Sequence, residues 1–344
     1  MNDYSINTTP FVGPNDSSSI PSIPEDVLLN TGFAWFRITI VSVNAVLIIA
    51  GNILNLIVLP RLKNTNETTK VYLLSLAIVD LTTGLQTSVF GVGTAIAAKW
   101  IFGRTMCVVI GVLIISTGGT SFIVLCLMSA DRYVAITKPL QYSQLTSRKR
   151  AIMLICTCLI PYPVNIYFLS TINDLFDNVT YSPGKGQCLV DFGNPEIAAL
   201  SISELSIFIL CPIVVFALVY LRILLIAWKA AKNIDSQTPS GQQRGRIFSR
   251  SEWRATRTTL LITCAFSLAW LPFPITGIWE ASTGARLTPT AAFLVTLLPA
   301  FNAWWNVVIY SVMNREYRRT AKMVFGCNVG RDDFGPSSAV AQCR

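Results

Sequence analysis

Seven long apolar stretches alternate with shorter polar ones along the chain. Each stretch contains roughly 20 or more mainly apolar residues, the length at which an α-helix crosses about 30 Å of hydrocarbon. The stretches occupy about 36–59, 72–98, 105–130, 151–170, 196–221, 258–279 and 288–312. This pattern predicts an all-α integral membrane protein, a seven-transmembrane helix bundle whose two ends lie on opposite sides of the bilayer.

The positions of lysine and arginine indicate which side of the membrane each connection faces. Basic residues within about 15–20 residues of a span stay in the cytoplasm. They are numerous after the first, third, fifth and seventh stretches, for example Arg61, Arg132, Arg254 and Arg315, whereas residues 1–36 contain none. We therefore predict a multi-pass plasma-membrane protein with an extracellular amino terminus and a cytoplasmic carboxyl terminus.

Composition narrows the functional class. The chain is 52% hydrophobic and 13% charged, with a mean hydropathy of +0.53, as expected for a membrane protein. Its formal net charge of +9 belongs to the inner face, where membrane lipids and protein partners lie, and no motif predicts binding to nucleic acid.

The chain has no histidine, which excludes imidazole bases and histidine metal ligands, so we predict no enzymatic activity. A membrane transporter is a much weaker alternative, because the sequence lacks repeated halves.

Several residues are candidates for covalent modification. Glycosylation sequons begin at Asn7, Asn15 and Asn178, all on the predicted outer side. Cys107 and Cys188 also face the oxidising outer compartment, so we expect them to form a disulfide. Cys327 follows an amphipathic stretch on the inner side and is a candidate for palmitoylation.

Asp80 is the one charged residue in the second stretch, and a carboxylate at that depth must be paired, protonated or ion-bound. Asn302, Asn306 and Tyr310 share one face of the seventh helix, and Ser121 faces the same way as Arg132 in the third. Carboxylate, hydroxyl and amide oxygens suit a hard cation, so Asp80, Ser121, Asn302 and Asn306 are candidate ligands of an allosteric Na⁺. The alternative is a hydrogen-bonded packing network without an ion.

The sixth stretch carries an aromatic stripe around a proline. Phe266, Trp270 and Phe273 recur at helical spacing beside Pro272, which removes a backbone hydrogen bond and predicts a bend. A bent helix with an indole at the bend can convert a contact at the indole into movement of its inner end.

Glu252 lies five turns before Trp270 and could pair with Arg132 at the inner ends of the helices; the alternative is a solvated boundary charge.

Short motifs along the chain together resemble the rhodopsin-like (class A) G protein-coupled receptors over residues 36 to 327. The motifs are Gly51-Asn52, Leu76-Ala77-Ile78-Val79-Asp80, Trp100-Ile101-Phe102-Gly103, Asp131-Arg132-Tyr133 with Pro139-Leu140, Pro212 with Tyr220, Phe266 to Pro272, and Asn306-Val307-Val308-Ile309-Tyr310. Each is weak alone, but their order along the chain is specific.

The resemblance implies that an extracellular ligand favours an outward swing of the sixth helix, which lets a heterotrimeric G protein bind inside and release GDP. The implied coupling and activation residues are Asp131, Arg132, Tyr133, Leu140, Tyr220, Glu252, Asn306 and Tyr310. Arrestin and receptor kinases are further implied partners, and no cofactor is required. Val307 replaces the usual proline of the seventh helix, so weak coupling or constitutive activity is an alternative.

The ligand class is constrained mainly by what is missing. Amine receptors of this family carry an Asp in the third helix where this chain has Ile114, which disfavours a classical monoamine, and the lysine of opsins is absent between Thr288 and Asn314. Glu204 in the fifth stretch could instead contact a cationic small molecule or peptide, although it could also be an interfacial carboxylate. The predicted pocket comprises Ile114, Thr117, Glu204, Trp270, Phe273 and Glu280.

The predicted organisation has four parts. Residues 1–35 form a glycosylated extracellular tail, and residues 36–313 form the receptor domain. Residues 314–327 alternate arginine with apolar positions and predict a short amphipathic helix on the inner leaflet. Residues 328–344 form a cytoplasmic tail.

Overall fold

The computed structural model describes residues 31–159, 177–236 and 250–326. Six helical segments in these ranges are long and apolar enough to cross a membrane. They are Gly32–Arg61, Glu67–Ala97, Gly103–Thr137, Pro195–Lys229, Trp253–Thr283 and Pro289–Met313. They correspond to the first, second, third, fifth, sixth and seventh predicted spans, and the chain is a helical multi-pass membrane protein.

The spans are built from the following helices. The first is α1 (Thr31–Val58), the second α2 (Glu67–Gln86) and α3 (Val92–Ala97), and the third α4 (Gly103–Thr137). The inner connection after the third contains α5 (Tyr142–Leu145), and α6 (Arg148–Leu159) begins the fourth, whose remainder lies outside the described residues. The fifth is α7 (Ala198–Leu205) and α8 (Cys211–Ser236), the sixth α9 (Arg250–Trp270) and α10 (Pro272–Thr283), and the seventh α11 (Pro289–Met313).

Three spans are interrupted near the outer side. Single π-helical turns, Thr87–Gly91 and Ser206–Leu210, join the two helices of the second and fifth spans. The sixth span divides at Leu271, immediately before Pro272, whose ring prevents a regular helical hydrogen bond. π-turns are frequent at functional sites.

The seventh helix is one continuous element in the structure. α11 runs past both Pro299 and Val307, the position at which the resembling family usually has proline. Val307 lies against the first span so closely that a Cβ added at Gly51 would be 2.9 Å from its Cγ2. Asn52 also fixes this interface, because its Nδ2 donates to the Ala303 carbonyl oxygen at 2.9 Å.

A short β-hairpin covers the outer end of the bundle. β1 (Val179–Ser182) pairs antiparallel with β2 (Gln187–Val190), and Cys188 of β2 is bonded to Cys107 of the third span. The predicted disulfide is therefore confirmed. The sequence analysis missed both strands, because four-residue strands stabilised by one disulfide and a small outer cluster leave little periodicity.

Packing is concentrated in the half of the bundle opposite the hairpin. The buried cluster there joins all seven spans, the fourth through its described beginning, and includes Leu59, Leu76, Leu125, Met128, Ile262 and Tyr310. The last described helix, α12 (Arg315–Val324), lies where the amphipathic helix was predicted. Asn314 caps it by accepting from the backbone N–H groups of Glu316 and Tyr317, and the Tyr317 hydroxyl donates to Asn55 Oδ1 at 2.7 Å.

Candidate functional site

A cavity of about 230 Å³ opens beneath the hairpin, between the outer halves of the spans. Its walls are mainly apolar and aromatic, with a few polar side chains. Of the predicted pocket residues, Ile114, Thr117, Glu204, Trp270 and Phe273 line it. This composition is typical of a small-molecule site, in which apolar contact supplies affinity and the few polar groups supply orientation.

An aromatic cluster forms part of the lining around the bend of the sixth span. Trp270 packs edge-on against Phe122 with ring centroids 5.4 Å apart, and lies 5.7 Å from Phe266 and 6.1 Å from Phe273. Gly118 makes room for the indole, since a Cβ there would lie 2.6 Å from Trp270 Cη2. The sequence predicted the stripe on the sixth span but not its partners on the third, where the Gly118-Gly119 pair was the available signal.

Glu204 is an ionisable residue of the cavity wall without an opposite charge. Its side chain is half-buried beside Leu205, Phe208 and Ile209, and it forms no hydrogen bond or ion pair with any other residue that the structure describes. Thr117, in contrast, donates its hydroxyl proton to carbonyl oxygens of its own helix. A partly desolvated carboxylate without a counterion strongly favours a cation.

Glu280 differs from the expectation, because it does not line the cavity. Glu280 is 2% exposed, and Lys185 of the hairpin turn reaches its carboxylate with Nζ 2.8 Å from Oε2. The backbone N–H of Leu287 also donates to Glu280 Oε1. The acid is therefore paired with the hairpin, which the sequence could not show because the two residues are 95 positions apart.

A second ion pair joins the hairpin to the connection between the sixth and seventh spans. Arg286 donates to both carboxylate oxygens of Asp191, one of them at 2.8 Å from Nη2. Burial alone would raise the pKa of Asp191, but the hydrogen bonds and charge of Arg286 hold it below its ordinary value. The two pairs make the hairpin a lid fixed to the outer end of the sixth span and to its connection with the seventh.

Polar groups also line the cavity on the side of the first and second spans, where the sequence predicted no ligand-pocket residue. Gln86 is 9% exposed, and neither its Oε1 nor its Nε2 has a hydrogen-bond partner among the described residues. Asn44 accepts from Trp304 Nε1 at 3.0 Å, but its Nδ2 is likewise unpaired. Nearer the mouth, the Arg37 guanidinium lies 4.9 Å from the centre of the Phe293 ring.

The predicted sodium ligands lie at the inner end of this cavity. Asp80 is buried, and its Oδ2 accepts from Asn306 Nδ2 at 2.9 Å. Ser121 and Asn302 are buried and line the cavity with Asp80, while the Ser121 hydroxyl donates to the Thr117 carbonyl oxygen. The donor set is oxygen-rich and fits a hard monovalent cation.

At the inner end of the third span, Arg132 is fully buried in a hydrogen-bonded network. Its Nη2 lies 2.5 Å from Asp131 Oδ2, 2.9 Å from Thr69 Oγ1 and 3.0 Å from the Tyr142 hydroxyl. Tyr142 donates in turn to Asp131 Oδ1 at 3.0 Å. The sequence predicted Asp131 and Arg132 but not Thr69 or Tyr142. The side chain of Glu252, the expected partner of Arg132, lies outside the described part of the structure.

The remaining predicted switch residues lie around this network. The Tyr220 hydroxyl is 3.4 Å from both Ser129 Oγ and Thr263 Oγ1, which connects the fifth span to the third and sixth. The Tyr310 hydroxyl is buried and has no hydrogen-bond partner among the described residues. Leu140 is 93% exposed on the inner connection, and Tyr133 is also exposed.

The predicted modification sites are only partly described. Asn7, Asn15 and Cys327 lie outside the described residues. Asn178 directly precedes the hairpin and is half-buried, and its Oδ1 accepts from Asn194 Nδ2 at 2.6 Å. Glycosylation of Asn178 stays a prediction.

Comparison with known proteins agrees with this geometry. The family model described as "7 transmembrane receptor (rhodopsin family)" matches residues 51–310. Similar proteins include octopamine receptor beta-2R of Chilo suppressalis, 24% identical over 82% of this chain and 77% of the relative, and trace amine-associated receptor 6 of Homo sapiens, 26% identical over 81% and 82%. 5-hydroxytryptamine receptor 2 of Aplysia californica is 27% identical over 90% of this chain and 81% of its own length.

Proposed function

The chain belongs to the rhodopsin family of seven-transmembrane receptors, and from this premise we propose that it is a G protein-coupled receptor for a cationic extracellular ligand. The ligand enters the cavity from outside and favours the arrangement of the spans that binds a heterotrimeric G protein and promotes GDP release. A ligand produces such a shift only through its higher affinity for the active arrangement.

The observation that carries the proposal is the unpaired carboxylate of Glu204 in the same cavity as Trp270 at the bend of the sixth span. A cation bound at Glu204 would draw the fifth span toward the ligand, and the body of the ligand would contact Trp270. The inner half of the sixth span, α9, packs against the third span, which carries Arg132. Movement of α9 would therefore alter the surface at which the G protein binds.

The relatives support a charged amine as the ligand, since their names refer to octopamine, trace amines and 5-hydroxytryptamine. Ile114 gives no counterion in the third span, so a classical monoamine docked there remains disfavoured. We place the ammonium group at Glu204 instead, on a small molecule or a peptide terminus.

Further parts of the proposal concern ions, partners and modification. Asp80, Ser121, Asn302 and Asn306 would hold an allosteric Na⁺, whose charge would stabilise the buried Asp80 carboxylate. The receptor would lie in the plasma membrane with its amino terminus outside. Arrestin, receptor kinases and membrane lipids would be inner-face partners, with Cys327 as a palmitoyl anchor and Glu252 as a partner of Arg132 in the inactive arrangement.

The test is a screen of amines, lipids and peptides on cells that express the chain, read with reporters for several G proteins. We expect amines to activate the wild type and Glu204→Gln to lower their potency, since loss of a charged hydrogen bond costs about 1.5–3 kcal/mol, or roughly 10- to 100-fold. Ser203→Ala, on the neighbouring exposed position, is the matched control. Full amine potency in Glu204→Gln would refute this ligand role.

A second functional reading is a weakly coupled or constitutively active receptor-like protein. Val307 favours it, because the seventh helix carries valine in place of the usual proline. Val307→Pro should then change ligand-free reporter output, and a wild type whose output is high and insensitive to every ligand would support this reading. A transporter is a much weaker alternative, and ligand flux across the membrane would identify it.

A further inference from the structure

The cavity wall formed by the first and second spans contains polar groups that the proposed amine site does not use. Gln86 and Asn44 both line the cavity, and both are at least nine-tenths buried. Their unpaired atoms are two N–H donors, Gln86 Nε2 and Asn44 Nδ2, and one acceptor, Gln86 Oε1. An unpaired buried polar atom is costly, so such a group in a binding cavity points to a ligand group that satisfies it.

The two side chains lie at similar depth. A Cβ at Gly91 would lie 3.4 Å from Val41 Cγ1, and one at Gly84 would lie 2.8 Å from Ile48 Cγ2. These contacts fix the antiparallel register of the first two spans. Asn44 lies between Val41 and Ile48, and Gln86 lies between Gly84 and Gly91, so both belong to one level of the wall.

Of the neighbouring polar residues on this wall, the threonines of the second span are already satisfied, whereas Arg37, two turns nearer the mouth, keeps an unpaired Nε. Thr83 donates its hydroxyl proton to the Val79 carbonyl oxygen at 3.2 Å, and Thr87 donates to Thr83 at 2.8 Å. The Asn44 oxygen is occupied by Trp304. At the depth of Gln86 and Asn44, the unpaired groups are therefore the amide oxygen and the amide nitrogen of Gln86 and the amide nitrogen of Asn44.

A primary carboxamide on the ligand has the donors and acceptors that match these unpaired amide groups of Gln86 and Asn44. Its N–H can donate to Gln86 Oε1 while its oxygen accepts from Gln86 Nε2, which closes a paired ring of two hydrogen bonds, and the second lone pair of the oxygen can accept from Asn44 Nδ2. A carboxylate or an ester has no N–H to donate. A trans secondary amide directs its N–H away from its oxygen and cannot form the paired ring.

We propose that the receptor recognises a bifunctional ligand whose cationic end contacts Glu204 and whose other end carries a primary carboxamide held by Gln86 and Asn44. This inference rests on the proposed function for the cationic end only. It extends the ligand class to amino amides and to short peptides that end in a carboxamide.

The experiment uses the purified full-length receptor and a matched set of aryl amines. The probes are 4-(2-aminoethyl)benzamide, the corresponding carboxylate, its methyl ester and 2-phenylethylamine, with homologues that place one to three methylenes between ring and carbonyl. Apparent affinity is measured from the ligand-dependent increase in Tm. We expect the best carboxamide to bind about tenfold more tightly than its ester and acid, as two or three net hydrogen bonds allow.

Three variants identify the cause of this preference. Gln86→Met keeps the side-chain length and should reduce the carboxamide-to-ester ratio to about threefold or less. Its Tm without ligand should equal or exceed that of the wild type, because an unpaired polar group is removed. Thr83→Val, one turn deeper, is the control and should leave the ratio unchanged. Glu204→Gln should weaken all amines equally and also leave the ratio unchanged.

The outcomes separate the two proposals. If no homologue shows a carboxamide preference in the wild type, or if the preference survives Gln86→Met, the carboxamide site is overturned. If the preference is present and Glu204→Gln leaves every affinity unchanged, the carboxamide site stands and the amine role of Glu204 fails.

Discussion

At the scale of single residues, the Tyr142 hydroxyl bridges Arg132 and Asp131 and links the inner connection to the third span. Burial raises the pKa of Tyr142 to about 12, so the hydroxyl keeps its proton and donates throughout the physiological pH range. The network should therefore be insensitive to pH between about 7 and 9.

Tyr142→Phe removes one hydrogen bond to each charged partner while it preserves the ring. Since a net hydrogen bond contributes about 0.5–1.5 kcal/mol, we expect ligand-free nucleotide exchange to rise about two- to tenfold. Exchange is measured with purified receptor and G protein. Thr137→Val is the control, because the Thr137 hydroxyl donates to the Tyr133 carbonyl oxygen of the same helix. Equal or lower basal exchange in Tyr142→Phe would show that the network does not hold the inactive arrangement.

Gly118 is required because the Trp270 indole occupies the space beside it. Gly118→Ala should displace the indole and destabilise the protein by about 1–3 kcal/mol, the usual cost of overpacking. Thermal unfolding checks the stability, and indole fluorescence checks the displacement. Gly91→Ala is a suitable control, because its added Cβ would find neighbours at 3.4 Å. Similar Tm values for both variants would contradict the tight contact.

At the scale of elements, the hairpin β1–β2 is held over the cavity by a disulfide and two ion pairs. The buried Lys185–Glu280 pair should contribute more than the Asp191–Arg286 pair, whose side chains are partly exposed. Loss of the buried contact between the hairpin turn and the sixth span should therefore release the lid more than loss of the exposed pair.

Glu280→Gln leaves the Lys185 ammonium buried without its counterion, a change that costs up to about 3–5 kcal/mol. We expect a lower Tm and faster exchange of cavity ligands, measured by unfolding and by dissociation kinetics. Asp191→Asn breaks the more exposed pair and should change stability by less than about 1 kcal/mol. Dissociation at the wild-type rate in Glu280→Gln would mean that the hairpin does not control access.

Acid should weaken the exposed ion pair. The folded-state pKa of Asp191 lies below its ordinary value, so its stabilising contribution is complete above that ordinary value, about 3.9, and is lost as pH falls through the folded-state pKa. Hydrogen exchange of residues 177–192 should be unchanged between pH 5 and 7 once corrected for intrinsic rates, and faster relative to that baseline below about pH 4. Asp191→Asn should remove this acid dependence. If hydrogen exchange in the variant still becomes faster in acid, another titratable group causes the effect.

At the scale of the whole molecule, the spans could be predicted because a helix must remain apolar over its full membrane-crossing length. The Asp80–Asn306 contact could also be anticipated, since a buried acid requires a partner and few candidates lie at its depth. Periodicity gives no such constraint for contacts between distant segments. The Lys185–Glu280 pair, the hairpin and the unpaired Gln86 therefore became visible only in three dimensions.

The described spans connect two polar regions through an aromatic and aliphatic interior. Glu204, Gln86 and Trp270 line the outer cavity, while Arg132 lies buried at the inner end of the third span. The third and sixth spans contact both regions, so a change in how they pack can transmit a ligand's preference from one side of the membrane to the other. This coupling is the central claim of the proposed function.

The most direct test is the rate of GDP release from purified heterotrimeric G protein. The receptor is held in lipid nanodiscs, and the amine and amino-amide panel is added to the solution. The account predicts that at least one cationic ligand accelerates release by the wild type, that Glu204→Gln requires more ligand, and that Arg132→Ala abolishes the acceleration. Release that no ligand alters, and that is identical for the wild type and Arg132→Ala, would contradict it.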